Sequence, residues 1–291
     1  MAHSHLAEML DLDADVLHEY HRDVITWVGS LTPARPHIID LGAGTGTGAL
    51  ALARQLADAE VVAVDASGQM LEHLRRKARA LGVADRIRTV QADLDQPWPP
   101  LGPADLVWAS ASLHHMAGPG RALTQALATL RPGGVLVVTE PDSFPHFLPD
   151  QAGAALEERC HAALAEVRAE AGMHMGEQWR VHLAEAGFTV EAERHFDIVL
   201  QPPLPAATGR YAQVSLQRMR HGLDGRLSTN DFAALDALTA GVLGRDDLTV
   251  RATRTVWLAR RPMESQGTSN IRRSLRNGPG RVRAPYDDRR S

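Results

Sequence analysis

The sequence has only one cysteine and no long hydrophobic run. Among its 291 residues Cys160 is the one thiol, which cannot form an internal disulfide bond and is too few for a zinc site. We therefore expect a reducing, cytoplasmic setting, with Cys160 as a packing residue in a helical stretch. No apolar run reaches the roughly 18 residues needed to span a bilayer, and the first residues do not resemble a signal peptide. A membrane association is not expected.

An excess of charge is also missing, which argues against a nucleic-acid partner. The formal net charge is −4. Lys77 is the only lysine, and the abundance of arginine and alanine is typical of a GC-rich bacterial genome. Positive charge is concentrated in residues 262–291, where seven arginines and three acidic residues give a net charge of +4. This segment has few apolar residues, so we predict a disordered basic tail.

What the sequence does contain is a regular alternation of strand and helix patterns. Residues 13–28 predict an amphipathic helix with Asp13 as its N-cap, within an N-terminal cap spanning residues 1–30. Apolar strands then alternate with helices, which predicts a parallel sheet covered on both faces. The predicted strands are His37–Leu41, Glu60–Val64, Ile87–Gln91, Ala104–Ala109 and Val135–Glu140, and the predicted helices are Gly46–Leu56, Ser67–Leu81 and Arg121–Leu130.

After Pro141 the alternation gives way to longer elements. Two late strands, Thr189–Gln201 and Leu248–Arg260, predict an antiparallel pair at the edge of the sheet, with a helical insert at about residues 202–247 between them. The main domain is expected to span residues 31–261. Helical segments at residues 142–176 and 206–242 are expected to cover a substrate pocket. The predicted helices are Gln151–Ala171, Gly176–Ala186, Gly209–His221 and Thr229–Val242, and a turn is expected at Arg131–Gly134.

The most informative segment is the glycine-rich turn after the first strand. Glycine permits a positive φ and lets the backbone approach a ligand closely, and in open α/β sheets ligands bind beyond the carboxyl ends of the strands. The spacing Gly44-x-Gly46-x-x-Ala49 also fits a dinucleotide-binding fingerprint, so the turn alone does not separate cofactors. The segment reads Ile38-Ile39-Asp40-Leu41-Gly42-Ala43-Gly44-Thr45-Gly46-Thr47-Gly48.

Carboxylates also follow the next two predicted strands. Asp65 ends the second strand, where it can accept hydrogen bonds from two ribose hydroxyls, as in both NAD enzymes and methyltransferases. Asp93 follows the third strand and can accept from an adenine amino group, with Leu94 packing on the ring. The pattern predicts an adenosyl-binding edge, shared by Asp40, Asp65 and Asp93.

Five segments in this order resemble class I S-adenosylmethionine-dependent methyltransferases, most closely the small-molecule group that includes the ubiquinone/menaquinone type. They read IDLGAGTG, VVAVDASGQML, VQADLDQPWP, ADLVWASASLHHM and LRPGGVLVV. The resemblance implies a Rossmann-like, doubly wound α/β sheet of seven strands with the last strand antiparallel. It also implies S-adenosyl-L-methionine as cofactor and a small-molecule substrate. The histidines are scattered without convincing metal-ligand spacing, so no metal is expected.

The resemblance further implies roles for particular residues. The methionine part would be held by Asp40, Gly42 and Gly44, the ribose by Asp65 beside Ala66 and Met70, the adenine by Asp93 and Leu94, and the sulfonium end by Ala109 and Ser110.

Two adjacent histidines after the fourth strand are candidates for a general base, which is needed only if the acceptor must lose a proton. His115 is the first choice and His114 the second, and His146 is a further candidate. Three alternatives stay open: an NAD(P)-dependent oxidoreductase, a non-catalytic binding protein on the same fold, and a methyltransferase acting on RNA or protein. The sequence contains no Tyr-x-x-x-Lys pair, which disfavours the oxidoreductase. It also contains no Asn/Asp-Pro-Pro-Tyr/Phe segment, which disfavours methylation of amino groups on RNA bases.

Overall fold

The structure is a computed structural model that describes residues 2–263. The predicted tail lies outside the described residues except for its first two. The helices are α1 (Ala2–Val16), α2 (His18–Gly29), α3 (Thr47–Gln55), α4 (Gly68–Ala80), α5 (Pro119–Thr129), α6 (Gln151–Glu170), α7 (Trp179–Glu185), α8 (Thr208–Gly222) and α9 (Thr229–Gly241). The strands are β1 (His37–Leu41), β2 (Glu60–Asp65), β3 (Ile87–Gln91), β4 (Ala104–Ser110), β5 (Leu130–Pro141), β6 (Thr189–Leu200) and β7 (Val250–Arg260).

The seven strands form one sheet in the order β3-β2-β1-β4-β5-β7-β6. Strands β1 to β5 are parallel, whereas β7 runs antiparallel to both β5 and β6. The strand order reverses between β1 and β4, which is where open α/β sheets bind ligands. The predicted Rossmann-like sheet with its last strand antiparallel is thereby confirmed.

Both faces of the sheet are buried, which explains the continuous apolar runs of its strands. Ile38 and Leu106 face one core, while Ile39 and Val107 face the other. The first core also contains apolar residues of α1, α2, α6 and α8, so these helices belong to the folded body. Cys160 lies in it fully buried, as a packing residue should. No helix within residues 2–263 is long and apolar enough to cross a membrane.

The structure corrects two local predictions. The helix expected over residues 13–28 is two helices, separated at Leu17, and Asp13 lies inside α1 instead of capping a helix. Its carboxylate is engaged by distant side chains, so tertiary contacts decide its role. The expected turn at Arg131–Gly134 belongs to β5, which pairs with β4 through an irregularity in register near Ala104.

Candidate active site

The turn between β1 and α3 requires its glycines. Gly42, Gly44 and Gly46 have φ values of +69°, +52° and +91°, in the left-handed region that disfavours side chains. A Cβ atom at Gly42 would lie 2.5 Å from Cβ of Ser112. The backbone N–H groups of Gly42 and Ala43 both donate to the carbonyl of Val64, at 2.9 Å. The turn is therefore held against the carboxyl end of β2 and the segment after β4.

Asp65 joins this turn to the start of α4. Its Oδ2 accepts a hydrogen bond from the backbone N–H of Gly44 at 2.8 Å, and its Oδ1 accepts from Ser67 N–H at 2.8 Å. Ser67 also caps α4 by accepting from the backbone N–H of Met70. Met70 is buried, and Ala66 is exposed. The structure thus brings Asp65, Ala66 and Met70 next to the glycine-rich turn.

The third predicted carboxylate lies one strand further along the same edge. The backbone N–H of Ala92 donates to the carbonyl of Asp65 at 3.1 Å, which places the chain after β3 beside the end of β2. Asp93 is exposed, and its Oδ1 accepts from the backbone N–H of Asp95 at 2.9 Å. Leu94 is buried. Asp93 therefore lies beside the Asp65 edge with a side chain open to solvent.

Asp40, in β1, lies buried next to Gly48 at the start of α3. It is 2% exposed, and burial together with the charge of Asp65 raises its pKa to about 7. Its Oδ2 has no hydrogen-bond partner in the described part of the chain, and neither has the indole N–H of Trp108. A Cβ atom at Gly48 would lie 3.0 Å from the Asp40 oxygen and 2.6 Å from the Trp108 nitrogen.

Unpaired buried polar atoms surround the turn on both sides. In the part of the chain that the structure describes, the Ser112 hydroxyl, Asp40 Oδ2 and Trp108 Nε1 are buried without a hydrogen-bond partner. Buried polar groups are normally satisfied by protein or by a bound species. The glycines of the turn leave room there because their positive φ values disfavour side chains. The room and the unpaired polar atoms together fit a polar ligand with an amino-acid part and a ribosyl part, as S-adenosylmethionine has.

Helix α1 covers this turn. A Cβ atom at Gly44 would lie 3.2 Å from Leu10 Cδ1. Asp11 accepts from Lys77 Nζ at 2.6 Å and lies 2.6 Å from His73 Nε2, which attaches α1 to α4. Burial would raise the pKa of Asp11, but the hydrogen bond and charge of Lys77, together with hydrogen bonds from Thr45 and His73, outweigh it and lower the pKa.

On either side of Asp11 along α1, Glu8 and Asp13 attach the helix to α8 and β7. Tyr211 donates its hydroxyl proton to Asp13 at 2.5 Å, and the guanidinium of Arg254 lies 3.4 Å away. Burial would raise the pKa of Asp13, but His21 and Arg254 lower it to about 2. Glu8 pairs with Arg210 at 2.7 Å. These pairs join residues some 200 positions apart, so no local sequence signal predicts them.

A buried histidine–carboxylate pair lies on the other side of β1. Nδ1 of His114 is 2.5 Å from Oε2 of Glu140, and both residues are less than 5% exposed. Glu140 also accepts from the backbone N–H groups of Ser112 and Leu113. Ala109, fully buried at the end of β4, lies close by in sequence. Glu140 is absent from the site predicted from the sequence. It lies near the carboxyl end of β5, and the rule that ligands bind at the carboxyl ends of parallel strands, which selects Asp65, would also select it.

The segment that carries His114 is strained and crowded with imidazoles. Ala111, directly after β4, has a φ of +49°, an unusual value for a residue other than glycine and one that often accompanies functional sites. The ring of His115 lies 4.1 Å from that of His114. His115 keeps more than a third of its surface exposed, yet partial burial and the charges of His114 and two arginines lower its pKa to about 4.

His146 lies apart from the pair, after β5. Its backbone pairs with that of Arg251, and its ring is 4.3 Å from that of His161 on α6. Burial lowers the pKa of His146 and lowers that of His161 to about 4. Within the described residues, no group of three or more histidine, cysteine or acidic side chains could hold a metal ion.

Comparison with known proteins agrees with this geometry. A family model described as a methyltransferase domain matches residues 38–134. Trans-aconitate 2-methyltransferase of Yersinia pseudotuberculosis is 30% identical over 200 residues, covering 66% of this chain and 68% of the relative. The 27-O-demethylrifamycin SV methyltransferase of Amycolatopsis mediterranei is 28% identical over 189 residues, which cover 65% of this chain and 66% of that enzyme. The chain spans 57% of the length of a trans-aconitate 2-methyltransferase of Acidovorax.

Solved structures show the same fold at low identity. The YcgJ protein of Bacillus subtilis aligns with a TM-score of 0.54 at 14% identity, covering 85% of this chain and 100% of that protein. The cyclase SpnF aligns with a TM-score of 0.51 at 22% identity, and the alignment covers 83% of this chain and 81% of SpnF. By its sequence matches, the chain belongs to the class I S-adenosylmethionine-dependent methyltransferases. The ubiquinone/menaquinone subtype stays a prediction.

Proposed function

We propose that this chain transfers a methyl group from S-adenosyl-L-methionine to a small-molecule acceptor. The observation that carries the proposal is the pairing of Asp65 with the N–H of Gly44 in a turn surrounded by unpaired buried polar atoms. The names of the relatives, which act on trans-aconitate and a demethylrifamycin, support a small acceptor. Because the fold also occurs in a cyclase, the fold by itself would not support methyl transfer.

In this proposal the residues of the acidic edge hold the cofactor, which when bound supplies an activated methyl group. Asp65 takes the ribose, beside Ala66 and Met70, and Asp93 with Leu94 frames the adenine. Gly42 and Gly44 let the backbone reach the methionine part, with Asp40 beneath them and Ala109 near the sulfonium end. The protein then has to align a nucleophile with the methyl at a distance of about 3 Å.

For an acceptor that must lose a proton, we propose His114 as the base and Glu140 as its positioning partner. A carboxylate can only accept, so the proton of His114 lies on Nδ1 and the lone pair on Nε2. In the described part of the chain Nδ1 is the ring nitrogen of His114 that contacts a protein group, so in this proposal Nε2 accepts the proton. His115, the first choice of the sequence, becomes the second candidate in this proposal, because its pKa of about 4 makes it a weaker base than an ordinary imidazole.

The first experiment separates the classes of function. The purified chain is incubated with methyl-labelled S-adenosylmethionine and an extract of host metabolites, and S-adenosylhomocysteine binding is measured by calorimetry. We expect label in a low-mass product. Label in RNA or protein would contradict the small-molecule acceptor, binding without any transfer would indicate a non-catalytic protein, and retention of NADH but not S-adenosylhomocysteine would indicate an oxidoreductase.

The second experiment tests the histidine–glutamate pair. We expect His114→Ala to lower turnover about 100-fold, the usual scale of general-base catalysis, and Glu140→Gln to lower it less while shifting the pH profile. Affinity for S-adenosylhomocysteine should change little in either variant. A loss in His115→Ala with full turnover in His114→Ala would transfer the base role to His115.

A further inference from the structure

The segment between α6 and α7 contacts the proposed base directly. It consists of residues 171–178, and we call it the strap. The backbone N–H of His174, near the middle of the strap, donates to the carbonyl of His114 at 3.0 Å. Glu140 contacts the same histidine through Nδ1 of its ring. His114 is therefore held both by its side chain and by its backbone, from two segments that are distant in the sequence.

The strap consists of turns, and two glycines shape it. Gly172 has a φ of +70° and ends α6, where the N–H of Met173 donates back to the carbonyl of Arg168 at 3.0 Å. Gly176, further along the strap, also has a φ of +70°. Because turns form fewer backbone hydrogen bonds than helices or strands, the position of the strap depends on contacts with its neighbours.

A carboxylate attaches the strap to α7. Oε2 of Glu177 lies 3.1 Å from Nε2 of His182, and Oε1 of Glu177 lies 3.4 Å from Nδ1 of His174. The hydrogen bond of His182, followed by that of His174, lowers the pKa of Glu177, so the carboxylate is charged at neutral pH. A charged carboxylate can only accept, and both imidazoles therefore donate to it.

Helix α7 is a well-packed support for this carboxylate. Trp179, the first residue of α7, is buried in the same core as Leu113, the neighbour of the proposed base. The ring of His182 lies 5.5 Å from the ring of Trp179. His182 thus belongs to a part of the fold that the core holds in place, and its Nε2 connects the strap to that part.

We propose that Glu177 is a positioning residue for His114. By joining His174 to His182, it holds the strap against the backbone of the proposed base. This inference rests on the proposed function, because that proposal makes His114 the base. An imidazole accepts a proton efficiently only when its free nitrogen is aimed at the acceptor. Glu140 engages Nδ1 and leaves Nε2 for the proton, while the strap keeps the residue in place.

Amide exchange at His174 tests the attachment without any turnover. Its N–H is protected by the carbonyl of His114, so Glu177→Ala should raise its exchange rate, followed by NMR, at least about tenfold. Glu170→Ala is the matched control, because Glu170 also forms an ion pair, with Arg226, but lies on α6 before the strap. This control should leave the exchange at His174 unchanged. Equal rates in Glu177→Ala and the unaltered protein would overturn the inference.

The part played by His182 is tested by combining two substitutions. His182→Ala should also accelerate exchange at His174. Adding it to Glu177→Ala should bring little further change, because both substitutions break the same link. Effects that simply add would show that the two side chains act separately, and they would contradict the link between them.

The rate of methyl transfer separates a positioning role from a merely structural one. Glu177→Ala should lower the rate of label transfer to the low-mass product about tenfold and leave S-adenosylhomocysteine affinity unchanged. Glu177→Gln keeps one accepting oxygen and should recover part of the rate. In a His114→Ala background the loss should largely disappear, since the strap acts through that residue. Faster exchange at His174 with an unaltered transfer rate would overturn the positioning role.

The inference and the proposed function fail in different ways. An unaltered transfer rate in Glu177→Ala, with methyl transfer by the unaltered protein intact, removes only the positioning role. Failure of the unaltered protein to bind S-adenosylhomocysteine or to transfer label removes the proposed function, and the positioning role with it.

Discussion

The carboxyl edge of the sheet has two halves that are built differently. At the ends of β1, β2 and β3 the side chains are acidic, and Asp40, Asp65 and Asp93 each lie in a strand or within two residues of its end. At the ends of β4 and β5 the central feature is the pair of His114 and Glu140, which are 26 residues apart in the sequence. Ribose hydroxyls and an ammonium group need hydrogen-bond acceptors, whereas a methyl acceptor that loses a proton needs a base, so the two halves suit different parts of the proposed reaction.

The first half depends on the backbone as much as on side chains, and this suggests the largest effect. Gly42→Ala should lower S-adenosylhomocysteine affinity by about 100-fold or more, because a left-handed φ is strained for alanine and the new Cβ would lie 2.5 Å from Ser112. Calorimetry measures this. Gly82→Ala is the matched control, since its φ is +67° with no atom within 4 Å of a Cβ. Equal loss in both variants would show strain alone to be the cause.

A side chain of the same half gives the next effect. Asp65→Ala should weaken the binding of S-adenosylhomocysteine by roughly 1–3 kcal/mol. The substitution removes a hydrogen-bond acceptor for the ribose and the acceptor of the Gly44 N–H. Asp58→Ala, an exposed aspartate elsewhere on the surface, should leave the affinity unchanged. An unaltered dissociation constant in Asp65→Ala would exclude this residue from the site and remove the contrast between the two halves.

The smallest effect concerns helix α1, which links the halves. The folded-state pKa of Asp13 is about 2, below its ordinary value of 3.8, so its contribution to stability is present above about pH 4 and is lost as the pH falls toward 2. Asp13→Asn should therefore destabilise the protein by about 1 kcal/mol at pH 7, discounted because the side chain is 24% exposed. Denaturant unfolding measures it. The free energies of unfolding of the unaltered protein and of Asp13→Asn should converge below pH 4. A difference between them that does not shrink there would contradict this account.

Most of the fold follows from short-range patterns in the sequence. Apolar runs such as residues 61–64 form strands because both faces of the sheet are covered, and Ser67 begins α4 as a capping residue should. The acidic edge is predictable for the same reason: Asp40, Asp65 and Asp93 each lie at or near the end of a strand, and parallel strands place those ends together.

Only the tertiary structure decided the rest. The pairing of His114 with Glu140 and the attachment of α1 through Asp13 to Tyr211 and Arg254 both join segments that the sequence separates by 26 or more residues. Strand periodicity and turn chemistry act over a few neighbouring residues. Which side chains meet across helices depends on how those helices pack, and packing is a property of the whole folded chain.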